Sequence, residues 1–435
     1  MPKPHVVIIG GGFAGLEAAK TLKKAPVKVT LIDRRNHHLF QPLLYQVATA
    51  GLSAPDIAAP IRQILRKQKN TTVLLGDVDH IDVEGKRVCM GDEALSYDHL
   101  ILAAGAGNNY FGNDDWARHA PGLKSVEEAL YIRHKVLQAY EAAERIGELN
   151  SAAIEPYLTF VVVGGGPTGV ELAGALSEIA HHTLARDFRN FDPKAARIVL
   201  IDGGARVLSG MDPESSQWAL EALADKGVEV VLQSRVTAID GDGVTYGDGV
   251  RVPAKTIIWA AGVKPSSLTD CIPGEKVRGH VVVQPDLTVP DHPEISVVGD
   301  VMAFKEGDSW LPGVAQVALQ SGRQAAKNIV RRIQGETPET FSYFDKGMMA
   351  TIGRSAAVVE TGGRKVQGFF AWVLWWMVHI MFLVGFRNRL AVMFEWVYAY
   401  FTWSRGARVI VRPPPKEIWQ GAETSEEPSA REQAG

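Results

Sequence analysis

The chain of 435 residues has only two cysteines, Cys89 and Cys271, and no CxxC spacing. That excludes a cysteine zinc site and a sequence-local redox pair, and it fits a reducing compartment. The twelve histidines include the neighbours His37–His38 and His181–His182. No HExxH or comparable ligand spacing occurs, so no metal site is expected. Charge of one sign is lacking as well, since 46 Lys and Arg stand against 49 Asp and Glu. Such a balance gives no electrostatic case for nucleic acid. After Met1-Pro2-Lys3-Pro4 the first apolar run is too short for a secretory core and ends in glycines. The chain is therefore expected to stay on the side where it is made.

What is present is ordinary globular composition, 46% hydrophobic and 22% charged, in enough length for two or three cores. An internal repeat organises it. Residues 7–17 (VIIGGGFAGLE) align without a gap with residues 161–171 (VVVGGGPTGVE), and 101–106 (ILAAGA) correspond to 258–263 (IWAAGV). Each glycine loop follows a short apolar strand and opens a helix, expected over 15–22 and 169–179. Further strands are expected at 29–33, 198–202, 228–232, 256–260, 281–283 and 295–298, with helices at 125–148 and 313–332.

Gly10-x-Gly12-x-x-Gly15 is a dinucleotide fingerprint. The first glycine permits the tight turn, the second lets backbone approach a pyrophosphate, and the third lets helix pack on strand. The helix start at Phe13 and Ala14 then offers free N–H groups to the phosphates. Asp33, ending the next strand, is placed to accept the hydroxyls of an adenosine ribose. A glycine turn in an unrelated protein is the competing reading, and strand, helix and acid in register weigh against it. Position favours FAD here, because residues 295–300 (ISVVGD) return late in the chain and place Asp300 for the ribityl hydroxyls.

The second fingerprint, Gly164-x-Gly166-x-x-Gly169, repeats the same physics for NADH, with Gly262 on the corresponding later loop. Asp202 is its acid, after a longer gap, and would repel a 2′-phosphate; Arg206 nearby could blur that preference. Glu171 follows the glycine loop where a helix dipole favours any carboxylate. Two readings stay open for it: a plain helix acid, as Glu17 is in the first repeat, or a group beside the nicotinamide and flavin that holds the amide or relays protons.

Together with the fingerprints, LIDRRNHHLFQPLLYQVA (31–48), IIWAAGV (257–263), ISVVGD (295–300) and VAQVALQSG (314–322) resemble the type II NADH dehydrogenases, single-subunit NADH:quinone oxidoreductases. The resemblance implies an α/β chain. Two Rossmann-like dinucleotide-binding domains of the FAD/NAD-linked reductase type precede a C-terminal membrane-associated helical segment. It implies FAD, non-covalently held, on 1–120 and 281–335 near Gly10–Gly15, Asp33, Arg34, His38, Gly105, Asp300, Ala315 and Gln316. It implies NADH on 155–280, and ubiquinone or menaquinone near Ala315, Gln316 and Gln320, with Lys346 a weaker candidate. Without the resemblance, Gln316 and Gln320 read as two helical polar residues one turn apart. Disulfide reductases and sulfide:quinone oxidoreductases of the wider superfamily use cysteines, and Cys89 and Cys271 fall outside the positions expected for either.

Residues 368–386 (GFFAWVLWWMVHIMFLVGF) carry one histidine and no formal charge. As one helix they would span roughly 28 Å, near the ~30 Å of a hydrocarbon core. Five of the ten tryptophans (372, 375, 376, 396 and 403) lie in this region. Arg364, Lys365, Arg387, Arg389, Arg405, Arg408 and Arg412 flank the stretch, with only Glu395 against them. Interfacial tryptophan and snorkelling cations favour a segment lying in the membrane surface over a span. A core or dimer-interface helix pair is the competing reading, and a homodimer sharing the anchor satisfies both. Residues 336–412 are expected as a C-terminal domain and 413–435 as a disordered tail. The expected activity is non-pumping electron transfer from NADH through FAD to membrane quinone, at the cytoplasmic face of the inner (plasma) membrane. Its rivals are a reductase of a small redox protein such as ferredoxin or rubredoxin, and a low-turnover flavin redox sensor.

Overall fold

The computed structural model describes residues 3–147, 151–403 and 405–410. Arg412 and the tail expected over 413–435 lie outside the described residues. The repeat seen in the sequence becomes two parallel sheets. The first has the order Thr288–Val289, His292–Val297, His99–Leu102, His5–Ile9, Lys28–Asp33, Thr71–Leu75. All its pairings are parallel except the edge hairpin. The second has the order Val228–Val231, Arg197–Ile201, Thr159–Val163, Thr256–Trp259, parallel throughout. Central strands of a parallel sheet are covered on both faces, which is why Val6–Ile9 and Phe160–Val163 are unbroken apolar runs with almost no exposure.

The likeness goes beyond the glycine loops. Each unit inserts a three-stranded antiparallel sheet just before the later strand that pairs with its glycine-loop strand: His80–Asp82, Arg87–Met90 and Glu93–Ser96 before His99–Leu102 in the first, Val236–Asp240, Gly243–Tyr246 and Val250–Pro253 before Thr256–Trp259 in the second. The strands leaving the two units, Ala106–Asn108 and Val263–Pro265, pair antiparallel and knit the units together. His292–Val297 then returns to the first sheet beside His99–Leu102.

Helix Ala315–Ile333 follows and lies on the first glycine-loop helix, Phe13–Thr21. The approach is so close that a Cβ on Gly322 would sit 2.2 Å from Ala14 O. The second glycine-loop helix, Pro167–Glu178, is covered instead by a C-terminal sheet of Met348–Gly353, Ala356–Thr361 and Arg364–Gln367. There a Cβ on Gly174 would meet Ile352 O at 1.9 Å. The period-two pattern of 348–367 went unread in the sequence because glycines and charges interrupt it.

The apolar stretch 368–386 is not one helix. It forms Phe369–Phe382, breaks where Leu383 is extended and Gly385 takes φ +95°, and resumes as Phe386–Thr402. Fourteen residues give roughly 21 Å at 1.5 Å each, and no helix among the described residues is long and apolar enough to cross a membrane. Trp375, Leu383 and Val392 are buried, whereas Phe370, Met381, Phe394, Tyr398 and Phe401 are strongly exposed. The aromatic loop 39–48 of the first unit packs into the same core as these helices: Phe40, Leu43, Leu44, Tyr45 and Val47 join Val170, Leu172, Ala371 and Trp375.

Candidate functional site

The two glycine loops have the same geometry for the same reason. Gly10 takes φ +101°, and a Cβ there would lie 2.2 Å from Ala103 O; one on Gly15 would lie 1.9 Å from Gly10 O. In the second loop Gly164 takes φ +113° against Ala260, and Gly169 approaches Gly164 O to 1.8 Å by the same measure. These glycines are required by the protein's own packing. Gly12 and Gly166 are different, because nothing lies within 4 Å of a Cβ built on either. That open space before a helix N-terminus is the cradle a pyrophosphate needs, so both loops fit a dinucleotide.

Each loop is fixed to its acid. Asp33 accepts hydrogen bonds from Gly11 N–H at 2.6 Å and Arg35 N–H at 2.7 Å. Asp202 accepts from Gly165 N–H at 2.5 Å and Gly204 N–H at 2.6 Å. The long gap before Asp202 is taken up by a wide turn at Ile179–Thr183 and the loop beyond it. Both carboxylates keep lone pairs for ribose hydroxyls. Arg206 bonds Ser209 O at 3.2 Å.

Around the first loop, buried His38 donates from Nδ1 to Gly11 O at 2.9 Å. Burial pulls its pKa down to about 4, so it is neutral. Phe13 stands edge-on to His38 and Phe40, with ring centroids 5.1 and 6.0 Å away. Arg34 is exposed at the strand end. Gly105, at φ +69°, faces open space, and Gly262 abuts Phe111. Asp300 sits in the turn Gly299–Val301, which Ser321 Oγ ties to helix Ala315–Ile333 by accepting from Gly299 N–H.

At the start of that helix the two glutamines do one job. Gln316 donates to Gly347 O at 3.0 Å and accepts from Lys346 N–H; Gln320 donates to Phe344 O at 2.9 Å and accepts from its N–H. Their i, i+4 spacing thus clamps the 344–347 loop, and the Lys346 ammonium lies 5.4 Å from the centroid of the Phe382 ring.

Glu171 is 8% exposed and points at the C-terminal sheet, where Thr351 N–H donates to it. Burial nevertheless pushes its carboxyl well above the usual carboxylate range, which favours the protonated form. Beside it Tyr45 is held in a chain of hydrogen bonds: Trp396 Nε1 donates to Gln46 Oε1 at 2.6 Å, and Gln46 Nε2 donates to Tyr45 Oη at 2.9 Å.

Comparison with known proteins accounts for nearly the whole chain. Residues 4–322 match the pyridine nucleotide-disulphide oxidoreductase family, and residues 346–404 match the NDH2 C-terminal domain. Type II NADH:quinone oxidoreductase Ndh of Mycobacterium tuberculosis is 45% identical, over 94% of this chain and 91% of its own length. The chain belongs to the type II NADH:quinone oxidoreductases. The internal alternative NAD(P)H-ubiquinone oxidoreductase A1 of Arabidopsis thaliana is 30% identical over 92% of this chain and 84% of its own. The fold of NDH2 from Plasmodium falciparum, solved in complex with NADH, superposes with a TM-score of 0.85 at 20% identity, covering 94% and 100% of the two chains.

For a type II NADH:quinone oxidoreductase the cysteines are placed off the glycine loops. Both are free, Cys271 Sγ lies 3.6 Å from His80 Nδ1, and Cys89 is the cross-strand partner of His80. Two site features escaped the sequence. Lys124 is half-buried near Asp300 and Glu128, and desolvation lowers its pKa against the pull of both acids. A lysine just before a helix start reads as a surface residue, and only the return of residues 295–300 brings Asp300 to it. Tyr45 and Gln46 were missed as neighbours of Glu171, because the contact joins segments over a hundred residues apart.

Proposed function

We propose that this chain binds FAD on the first unit (1–120 with 281–335) and NADH on the second (155–280). It carries electrons from NADH to a membrane quinone, ubiquinone or menaquinone, without pumping protons. The observation that supports this most directly is the pair of open cradles at Gly12 and Gly166, on units knitted at Ala106–Asn108 and Val263–Pro265. Bound FAD supplies two-electron acceptance from a nicotinamide and electron delivery to a quinone. The protein's residues do the rest. The N–H groups after Gly12, with Asp33 and Asp300, hold the flavin's pyrophosphate, ribose and ribityl chain. Asp202 holds the NADH ribose and disfavours a 2′-phosphate. Gln316 and Gln320 keep the 344–347 loop, with Lys346, against the quinone side. Glu171, shifted by burial toward its protonated form, is placed to hold one of the two protons that quinone reduction consumes.

The exposed apolar side chains of Phe369–Phe382 and Phe386–Thr402 support docking on the membrane surface. Each buried aromatic there contributes a few kcal/mol at roughly 25 cal/mol per Å². The cytoplasmic face of the plasma membrane and a homodimer sharing the anchor complete the reading.

Anaerobic stopped-flow absorbance tests it, with NADH added first and a short-chain quinone second. Bleaching of an oxidised flavin and rapid recovery are expected; bleaching without recovery would discard the quinone. Gln316→Leu, by freeing the 344–347 loop, should slow recovery about tenfold while sparing bleaching. Unchanged recovery would remove Gln316 from the quinone site.

A further inference from the structure

Between the two C-terminal helices, the C-terminal sheet, the second unit and residues 45–51 of the first lies a cavity of about 120 Å³, several times what one water needs. Trp372, Trp375, Trp376 and Trp396 wall its apolar part; Glu178, Arg354 and Arg405 line its polar part, beside Glu171. The charges there do not balance. Glu178, 9% exposed, accepts from Lys226 Nζ at 3.4 Å and from the Arg354 backbone N–H on one oxygen, and from Arg405 Nη2 at 3.0 Å on the other. Among the described residues the Glu178 carboxylate thus meets groups of three cationic residues, Lys226, Arg354 and Arg405, while burial shifts Glu171 toward its neutral form.

Arg354 is the cation left over. Its guanidinium carbon lies 4.1 Å from the ring centroids of both Tyr400 and Trp403, and His182 stacks on Trp403 at 3.8 Å. The Tyr400 and Trp403 rings pack against the guanidinium, but its Nη1 is buried without a hydrogen-bond partner among the described residues. The same is true of Trp375 Nε1, on the helix that walls the cavity. Buried donors without acceptors are costly, and a planar guanidinium is suited to phosphate oxygens.

We propose that this cavity binds the anionic phosphate headgroup of a membrane phospholipid. Arg354 Nη1 and Trp375 Nε1 donate to its oxygens, and the lipid chains run along the tryptophans into the bilayer. A neutral quinone would satisfy a donor but leave the positive excess standing. The phosphate satisfies both, and it would fasten the C-terminal helices and the second unit to the same lipid.

The test is a tryptophan-fluorescence titration of the detergent-purified holoenzyme with monomeric dihexanoyl phosphatidylglycerol. Dihexanoyl phosphatidylcholine, inorganic phosphate and a short-chain quinone are titrated in parallel. Saturable phosphatidylglycerol binding is expected, with phosphatidylcholine about tenfold weaker or more and inorganic phosphate weaker still. Arg354→Gln should weaken it by about tenfold or more, and Arg354→Lys should restore part of that loss. Trp375→Phe, which keeps the ring and removes the donor, should weaken it less. The visible flavin spectrum and Tm report folding; should Arg354→Gln not fold, Trp375→Phe and the lipid comparison decide. Equal binding of both lipids, or binding that neither folded variant weakens, overturns the proposal. Saturation by inorganic phosphate at the same affinity makes it a free-phosphate site. Occupancy by quinone with no phosphatidylglycerol binding assigns the cavity to the electron acceptor.

Discussion

Glu17 and Glu171 stand at the same place in the repeat, two residues beyond the third glycine, and their surroundings differ. Glu17 meets Arg323 Nε at 2.9 Å, a pair whose arginine is half exposed and whose glutamate is 17% exposed. Glu171 is sealed under the C-terminal sheet with a backbone N–H from Thr351, and burial drives its carboxyl toward the protonated form. The glycine loops before them are alike to the hydrogen bond. What differs is the covering element: helix Ala315–Ile333 brings an arginine to one, and strand Met348–Gly353 brings apolar side chains and backbone to the other. A residue's role here is set less by its own motif than by what the chain later lays over it.

The sharpest way to separate the two units is to fill their cradles. A Cβ at Gly12 or Gly166 meets nothing within 4 Å in the protein itself, so with valine there nucleotide binding should fail by on the order of a hundredfold, while Tm falls only by the stabilisation that the lost nucleotide had given. Gly12→Val should be purified without visible flavin absorbance. Gly166→Val should keep its flavin and lose saturation with NADH. The reverse assignment of losses would exchange the two cofactors.

Substituting the paired acids comes next. Glu17→Gln keeps an acceptor for half-exposed Arg323, so it should cost about 1 kcal/mol of stability and leave turnover alone. Glu171→Gln should slow flavin reoxidation by quinone by about ten- to a hundredfold and flatten its pH profile. Stability should move the other way. The folded pKa of Glu171 is raised above its unfolded value of about 4.3, so native protein holds a proton that the unfolded chain releases. Its stability therefore falls as pH rises through that value. The variant should exceed wild-type Tm at neutral pH, with the gap closing toward pH 4. A variant that melts lower at every pH would mean Glu171 is ionised in the folded protein.

Asp202 tests whether the second unit's acid works as the first one's does. Asp202→Asn keeps an acceptor for Gly165 or Gly204 and removes the charge facing a 2′-phosphate. The preference of kcat/KM for NADH over NADPH should fall by about tenfold, roughly 1.4 kcal/mol. No change would shift the discrimination elsewhere on the second unit.

These comparisons were open to proposal because the glycine spacing, the alternating apolar runs and the two acids are local signals. They made both parallel sheets, Asp33 and Asp202 readable in advance. Glu171 could be named but not decided, since its burial depends on residues 348–353, far along the chain. Lys124 and the Tyr45–Gln46–Trp396 contact were invisible for the same reason. The break at Leu383–Gly385 was hidden differently: hydropathy counts apolar length and is blind to one glycine with positive φ.

The smallest effect expected reaches the site from the C-terminal helices. Trp396 Nε1 holds Gln46, and Gln46 holds the Tyr45 hydroxyl beside Glu171. Trp396→Phe keeps the ring against Trp375 and Trp376 and removes one donor, which costs about 1 kcal/mol. Stability should drop by that amount, measured as a shift in Tm. If the contact also orients Tyr45, quinone-dependent reoxidation should slow a few-fold while NADH-dependent reduction does not. A loss of stability with both rates unchanged would show that the chain fastens the helix to loop 39–48 and does no more. Slowing of both rates would place its influence on the FAD site itself, since that loop also carries Phe40 against Phe13.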